Sequence, residues 1–125
     1  MPKMQVKNKI TLGKQGEEIA AKYLKQQGYQ IIERNFQRRY KEIDIVALDK
    51  NTLVFVEVKT RQGDKFGTPS EAITSFKLRN LVQSAQYYKF IHPNLPDSMR
   101  IDFVGISIGE DFKLKEINLI KNITS

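Results

Sequence analysis

The sequence predicts an α/β protein with a mixed β-sheet, in the element order αβββαββ. Two segments place apolar residues at helical spacing, and five shorter runs have the β-branched, alternating character of strands. The chain has 125 residues, with no internal repeat and no linker-like stretch, which is typical of one domain. We therefore expect a basic N-terminal arm over residues 1–11 and a single domain over residues 12–125.

The first helix is predicted over Leu12–Gln27, because its apolar side chains recur three and four residues apart. These side chains are Ile19, Ala20, Tyr23 and Leu24. Gly28 favours a helix end, since the residue after a helix often adopts a positive φ. Three strand-like runs follow, over Tyr29–Phe36, Glu42–Asp49 and Thr52–Thr60. A polar turn at residues 49–51 predicts that the second and third runs form a hairpin.

The second helix is predicted to begin at a capping box, with Thr68 as the N-cap and Glu71 three residues later. It runs to about Ile91, where a proline-containing segment interrupts the pattern. A strand over Ile101–Ile108 and a hairpin partner over Phe112–Leu119 complete the predicted sheet.

Composition excludes several kinds of chemistry. The chain has no cysteine and one histidine, so thiolate nucleophiles, iron–sulfur clusters and zinc sites of several imidazoles are excluded within one chain. An enzymatic site would have to use carboxylates, lysines and a hard metal ion. The net charge of +7 favours a polyanionic partner, and a basic but merely soluble protein is the alternative. No apolar run approaches a membrane span and no apolar signal core is present, which predicts a cytoplasmic protein without a membrane partner.

Charged side chains interrupt two apolar strands. Alternation places Asp44 with Val46 on one face of its strand, and Ile43 with Ile45 on the other. A buried, isolated charge is costly, so such a group must be paired, solvated or bound to a metal. The same reasoning applies to the next strand, where alternation places Glu57 on one face with Leu53 and Phe55. The other face carries Val54, Val56 and Val58.

Glu57 and Lys59 share one face of the third strand, and the hairpin would bring Asp44 near Glu57. Two neighbouring carboxylates repel each other, and a divalent cation relieves that repulsion. Both carboxylates and a backbone carbonyl such as that of Val58 suit Mg²⁺, which takes oxygen ligands. The Lys59 ammonium would position the attacking water or stabilise a phosphate, which describes metal-assisted phosphodiester hydrolysis. The alternative is a buried acid–lysine pair that only holds the sheet together.

Further candidates lie on the helices and loops. Glu17 falls at the edge of the apolar stripe of the first helix, whereas Glu18 falls on its wet face; an acid placed there for the helix dipole is the alternative. Lys77 lies in a row of mostly apolar side chains on the second helix, from which it reaches either the site or solvent. Other basic residues could contact phosphates or simply be solvated. These are Arg38, Arg39, Lys41, Arg61 and Lys65.

The motifs together resemble those of the restriction-endonuclease-like nucleases, the PD-(D/E)XK superfamily. In chain order they are Gly13–Glu17 with Ala20, Tyr23 and Leu24, then Glu42–Ala47, Phe55–Arg61, Phe66–Gly67, Glu71, Ala72 and Lys77, and finally Arg100–Asp102. They resemble most closely the small bacterial YraN family, which is similar to archaeal Holliday junction resolvases. The resemblance covers nearly the whole chain, and its specificity comes from the order of several motifs.

The resemblance implies a three-layer fold, with a central mixed sheet flanked by helices, in a nuclease-like domain. It also implies that Asp44 and Glu57 bind Mg²⁺ or Mn²⁺, that Lys59 is catalytic and that Glu17 is an accessory acid. Two positions depart from the pattern. Ile43 stands where the superfamily has proline before the aspartate, and Lys41 stands where the YraN pattern usually has glycine.

The leading functional hypothesis is a metal-dependent endonuclease that hydrolyses DNA, including branched or structured DNA. A chain of this size has little room for a sequence-reading domain, so recognition of backbone and shape is expected. The likeness to resolvases implies a homodimer. The main alternative is a nucleic-acid-binding protein that has this fold but does not cleave. A third is a structural partner whose basic surface faces an acidic protein.

Overall fold

The computed structural model describes residues 8–63 and 73–124, and its elements follow the predicted order αβββαββ. In chain order the elements are α1 (Asn8–Gln26), β1 (Gln30–Arg38), β2 (Lys41–Asp49), β3 (Thr52–Gln62), α2 (Ser75–Ile91), β4 (Met99–Ile108) and β5 (Leu114–Ile120). The predicted α/β class and element order are therefore confirmed. Neither helix of these described ranges combines the length and hydropathy needed to cross a membrane.

The five strands form one sheet in the order β1-β2-β3-β4-β5. The first three make an antiparallel meander, and β4 and β5 make an antiparallel hairpin. The β3 and β4 strands are parallel, from Leu53 opposite Met99 to Gln62 opposite Ile108. A parallel pair needs a crossover connection, and the segment that contains α2 supplies it. The prediction of a mixed sheet is confirmed.

The sheet is covered on both faces, which makes three layers. One face packs against α1 through a buried cluster of Ala20, Ala21, Leu24, Tyr29, Ile45, Ala47, Val54, Val56, Val104, Ile106 and Ile108. The other face packs against α2 through Phe36, Ile43, Val46, Leu53, Phe55, Leu81, Ala85, Tyr88 and Ile101. Burial on both faces explains why β3 is almost continuously apolar until Glu57.

A close approach between α1 and β3 fixes the helix on the sheet. A Cβ atom built at Gly16 would lie 1.8 Å from the Thr60 Oγ1 atom, so only glycine fits at this contact. The helix backbone therefore lies directly against the strand, one residue before Glu17. This contact places the first turns of α1 beside the end of β3 that carries Glu57.

The bounds of the two helices differ from the predicted ones. The α1 helix begins at Asn8, so residues 8–11 of the predicted arm belong to the helix, and residues 1–7 lie outside the described residues. The α2 helix begins at Ser75, and the Thr74 side chain caps it by accepting a hydrogen bond from the Lys77 N–H at 3.1 Å. The prediction of a helix that starts at Thr68 was therefore wrong, because Thr74 supplies the N-cap. The predicted capping box of Thr68 and Glu71 lies outside the described residues.

The regular alternation of β2 is interrupted at Asp44. Ile43 packs in the α2-side cluster together with Val46, whereas Ile45 packs on the α1 side. The prediction that Ile43 and Ile45 share a face was therefore wrong. The interruption coincides with the last pair between β2 and β3, Ile45 opposite Val56, and with a φ of 56° at Asn35 on β1. The side-chain alternation of β2 changes at Asp44 because of these contacts with β1 and β3. The sequence of β2 alone does not predict such contacts.

A buried ionic cluster ties the start of β4 to the start of β1. The Asp102 carboxylate is fully buried and accepts hydrogen bonds from the Tyr29 hydroxyl at 2.7 Å and the Arg100 Nε at 2.9 Å. It also accepts one from the Asn122 backbone N–H at 2.9 Å, and Arg100 Nη2 donates to Asp49 at 2.8 Å. Its hydrogen-bond partners stabilise the buried charge, so the cluster is structural.

Candidate functional site

Asp44 lies at the point where β2 and β3 separate. The last paired residues are Ile45 and Val56, and beyond them the Asp44 Oδ2 atom accepts a hydrogen bond from the Val58 backbone N–H at 2.8 Å. The carboxylate thus takes the place of the strand partner that Val58 has lost on this side. Asp44 is partly buried and held by the backbone of the neighbouring strand.

Glu57 lies next to Asp44 and is buried, with 9% of its surface exposed. Its carboxylate forms an ion pair with the Lys77 Nζ atom of α2 at 3.4 Å. Burial and, after it, the negative charge of Asp44 raise the pKa of Glu57 to about 7, although Lys77 opposes both effects. Near neutral pH the two carboxyl groups therefore compete for one proton. The sequence prediction that Asp44 and Glu57 lie near each other is confirmed.

The pKa of Asp44 is also raised, chiefly by burial, while the Val58 N–H and a hydrogen bond from the Glu57 carboxyl group lower it. The two acids are thus held together although their charges repel each other. In such a pair one proton, one ammonium group or one divalent cation can supply the missing positive charge. Lys77 supplies part of that charge, and it is half-exposed to solvent.

Glu17 lies on the other side of Asp44, on α1. Partial burial raises the pKa of Glu17, and the Asp44 charge raises it further. The Asn35 side chain opposes this shift with a hydrogen bond to Glu17. Glu18, by contrast, is exposed and pairs with Arg34 at 3.1 Å. The three acids therefore follow one another from α1 across β2 to β3.

Asn35 is a site residue that the sequence analysis missed. It lies on β1 between the pairs Arg34–Ile45 and Phe36–Ile43, which places it opposite Asp44. Its positive φ of 56° is a conformation that asparagine tolerates better than most residues. An asparagine inside a strand-like run was the available signal, because asparagine is depleted from regular strands.

Lys59 follows Glu57 by two residues on the same face of β3, and its side chain is exposed. The ammonium group against Glu57 is that of Lys77, from α2. The site thus has one lysine in contact with the acids and a second that extends into solvent beside them. The backbone of Val58 lies between Glu57 and Lys59, and its N–H is directed to Asp44.

The other predicted basic residues lie at the same end of the sheet or outside the described residues. Arg38 and Arg39 are exposed at the β1–β2 turn, and the Lys41 ammonium lies over the Tyr87 ring at 5.2 Å from its centroid. Arg61 is partly buried near the end of β3. Lys65 lies outside the described residues.

The donor set suits a hard divalent cation. Among residues 8–63 and 73–124, no three acidic or histidine side chains are grouped closely enough to hold a metal by themselves. Mg²⁺ commonly takes only one or two protein carboxylates and completes its shell with water and phosphate oxygens. Asp44 and Glu57 would hold such an ion, and the backbone carbonyl of Val58 would supply a further oxygen ligand. The two adjacent acids could therefore hold Mg²⁺ or Mn²⁺ in a site that is completed by water and a substrate.

The structure defines a three-layer α/β protein with a carboxylate pair at one end of its central sheet. Residues 16–106 match the model of "Uncharacterised protein family UPF0102". The chain belongs to this family, also called YraN, which the sequence motifs resembled. The matched range contains all three acids of the site and Lys59.

Similar proteins of the same name occur in several bacteria. A UPF0102 protein of Caldicellulosiruptor saccharolyticus is 46% identical over 115 residues, which cover 92% of this chain and 98% of that protein. One of Syntrophomonas wolfei is 47% identical over 111 residues, covering 89% and 95%. One of Caldanaerobacter subterraneus is 42% identical over 120 residues, covering 95% and 98%. These similarities extend over nearly the full length of both chains.

Proposed function

We propose that the protein is a metal-dependent endonuclease that hydrolyses phosphodiester bonds in DNA. The observation that carries the proposal is the buried pair of Asp44 and Glu57, held beside Val58 and Lys59 where two strands separate. The same acids and lysine carry the resemblance to the PD-(D/E)XK nucleases. The net charge of +7 favours a polyanionic substrate.

The roles of the residues follow from their environments. A bound Mg²⁺ or Mn²⁺ would polarise the phosphate and lower the pKa of a coordinated water. Asp44 is held by the Val58 N–H, and Glu57 must release its proton, so that both carboxylates present negative oxygens to the cation. Lys59, exposed on the same face, would place its ammonium group against the scissile phosphate and stabilise its developing charge. Glu17 would accept a hydrogen bond from water near Asp44.

The substrate is proposed to be recognised by its backbone and shape. Arg38 and Arg39 are exposed at the end of the sheet that carries the acids, where they would contact phosphates. Such contacts carry little sequence information, which suits branched or structured DNA. A homodimer, in which each site cuts one strand, is part of the same proposal and is testable by sedimentation.

Metal titration combined with cleavage tests the proposal. We expect calorimetry to detect Mg²⁺ or Mn²⁺ binding to the wild type, and Asp44→Asn to abolish both binding and cleavage. Lys59→Ala should lower the cleavage rate at least 100-fold without changing the metal affinity, because Lys59 is exposed and holds no cation. Lys25→Ala, another exposed lysine in the last turn of α1, is the matched control. Equal residual cutting by the wild type and both site variants would indicate a contaminating nuclease and contradict the proposal.

The Lys77–Glu57 ion pair favours a second candidate function, a DNA-binding protein that does not cleave. In that case Lys77 would be the permanent partner of the acids, at the observed 3.4 Å, and no cation would enter. Binding that weakens with salt, without nicking on any DNA shape in Mg²⁺ or Mn²⁺, would favour this candidate. Cleavage that is abolished by Asp44→Asn would exclude it.

A further inference from the structure

The turn between β1 and β2 has an unusual composition. Arg38 pairs with Lys41, so Arg39 and Tyr40 form a two-residue hairpin loop. Both have a positive φ, of 50° and 68°. Two-residue loops with this geometry strongly prefer Asn-Gly or Asp-Gly, because a bulky side chain is disfavoured at positive φ. Arginine and tyrosine therefore occupy a conformation that destabilises the turn.

The side chains of this loop do not offset the unfavourable backbone conformation by packing against the described residues. Tyr40 has a relative exposure of 108%, so its ring lies almost entirely in solvent. Arg38, the last residue of β1, and Arg39, the first residue of the loop, are both exposed directly before Tyr40. Lys41, in contrast, lies over the Tyr87 ring of α2, at 5.2 Å from the ring centroid, and this contact fixes the base of the hairpin. The base of the hairpin is therefore held in place, and the loop presents an exposed aromatic ring next to two exposed arginines.

The Tyr40 ring lies on the same hairpin as Asp44. Tyr40 precedes Asp44 by four residues on the same hairpin, which is about 13 Å along an extended strand. One strand of duplex DNA advances about 3.4 Å per nucleotide, so the separation corresponds to about four nucleotides. A nucleic acid with one phosphate at Asp44 and Glu57 would therefore reach the β1–β2 loop if it runs along β2.

We propose that Tyr40 stacks on an unpaired base of the bound DNA, while Arg38 and Arg39 contact the flanking phosphates. The inference rests on the proposed function for the position of the DNA, and it specifies the substrate class: DNA with unpaired bases beside the cleavage point, such as forks, flaps or bulges. An exposed ring next to cations is the arrangement that binds single-stranded nucleic acid, since every base has a face that can stack. A fully paired duplex offers this ring no free base.

The test measures stacking without requiring cleavage. A forked DNA carries the fluorescent base 2-aminopurine at successive unpaired positions, and binding is followed in EDTA. We expect the wild type to quench the fluorescence at one or two adjacent positions. Tyr40→Ala should remove the quenching and weaken binding to the fork roughly tenfold, with little change for a paired duplex. Tyr40→Trp should retain both the quenching and the affinity.

Three further variants separate stacking from other effects. Phe90→Ala removes another exposed aromatic ring, which lies 13 residues beyond Lys77 on α2, and it should change neither quenching nor affinity. Arg39→Ala should weaken fork and duplex binding alike, because it removes a phosphate contact. Tyr40→Gly should raise the unfolding temperature while it abolishes the quenching, because glycine accepts the positive φ.

The outcomes distinguish this inference from the proposed function. If Tyr40→Ala binds fork and duplex in the wild-type ratio, or loses affinity equally for both, the inference is wrong even when the wild type cleaves DNA. If the wild type quenches and Tyr40→Ala does not, the inference holds even when no DNA is cleaved in Mg²⁺ or Mn²⁺. Failure of the wild type to bind any DNA at low salt would overturn both, and would point to an acidic protein as the partner of the turn.

Discussion

The Asp44 carboxylate accepts a hydrogen bond from the Val58 backbone N–H at 2.8 Å, at the position where β2 no longer pairs with β3. One side chain thus has a structural role, because it satisfies a backbone donor, and a proposed functional role, because it brings a charge to Glu57. Substitutions at this position must be chosen so that these two roles can be measured separately.

Asp44→Asn and Asp44→Ala both remove the charge, but only asparagine keeps an oxygen that can accept the Val58 N–H. We expect Asp44→Ala to be less stable than Asp44→Asn by about 1–3 kcal/mol, which is the cost of leaving a buried donor unsatisfied. Neither variant should bind Mg²⁺ or Mn²⁺. Urea unfolding at pH 8 measures the difference in stability, and calorimetry measures metal binding. Identical unfolding midpoints for the two variants would show that the hydrogen bond to Val58 contributes nothing.

The raised pKa of Glu57 predicts a pH-dependent stability. A carboxyl group with a folded-state pKa of about 7 and an unfolded value of 4.5 binds more protons in the folded state between these pH values. The free energy of unfolding should therefore fall as the pH rises through this range. Glu57→Gln does not titrate, so its stability relative to the wild type should increase from pH 4.5 to pH 8 by up to about 3 kcal/mol.

Denaturant unfolding at several pH values measures this effect. Glu110→Gln, at an exposed acid, is the matched control and should follow the wild type at every pH. Under the proposed function, saturating Mn²⁺ should remove most of the wild-type slope, because the cation competes with the proton for the carboxylates. A constant difference between Glu57→Gln and the wild type across the range would contradict the pKa shift.

The contact between Gly16 and Thr60 predicts opposite effects for two glycines of α1. Gly16→Ala places a methyl group 1.8 Å from the Thr60 Oγ1 atom, so we expect a loss of stability of about 1–3 kcal/mol or more. Gly13→Ala meets nothing within 4 Å and should stabilise the helix by about 0.5–1 kcal/mol. Thermal unfolding compares the two. The double variant Gly16→Ala with Thr60→Ala should recover part of the loss, and an unchanged defect would show that the clash lies elsewhere.

The buried Asp102 predicts a large structural effect on the face of the sheet opposite to that of Glu57. Asp102→Asn leaves the Arg100 guanidinium without its buried carboxylate partner, and we expect it to cost about 3–5 kcal/mol. Asp97→Asn, at a fully exposed acid that pairs with Lys89, should leave the unfolding midpoint close to that of the wild type. Because Asp102 faces α1 and Glu57 faces α2, the metal affinity of folded Asp102→Asn should equal that of the wild type. A lower affinity would mean that the two regions are coupled.

The features that the sequence predicts correctly depend on residues close together in the chain. Alternation along β3 placed Leu53 and Phe55 on one face and Val54 and Val56 on the other, which the two core clusters confirm. The short turn between β2 and β3 was enough to bring Asp44 near Glu57. A period of two and a short connection are properties of the sequence itself.

The features missed depend on distant parts of the chain. The bond between Tyr29 and Asp102 joins residues 73 positions apart, and no local pattern encodes such a pair. To predict that the side-chain alternation of β2 changes at Asp44, one must know where β3 separates from β2. The sequence favours a helix start at Thr68, because threonine, proline and glutamate together are a stronger local signal than Thr74 alone.

The meander of β1, β2 and β3 also bears on the order of folding. Its contacts are short-range, whereas the parallel pair of β3 and β4 closes a loop through α2, with Leu53 opposite Met99. Short loops close at a lower entropic cost, so the meander is expected to form early and to bring Asp44 and Glu57 together before α2 delivers Lys77. Mutual repulsion of the two acids would then slow refolding in alkaline solution, and stopped-flow traces should show faster refolding when the solution is acidified from pH 8 to pH 6.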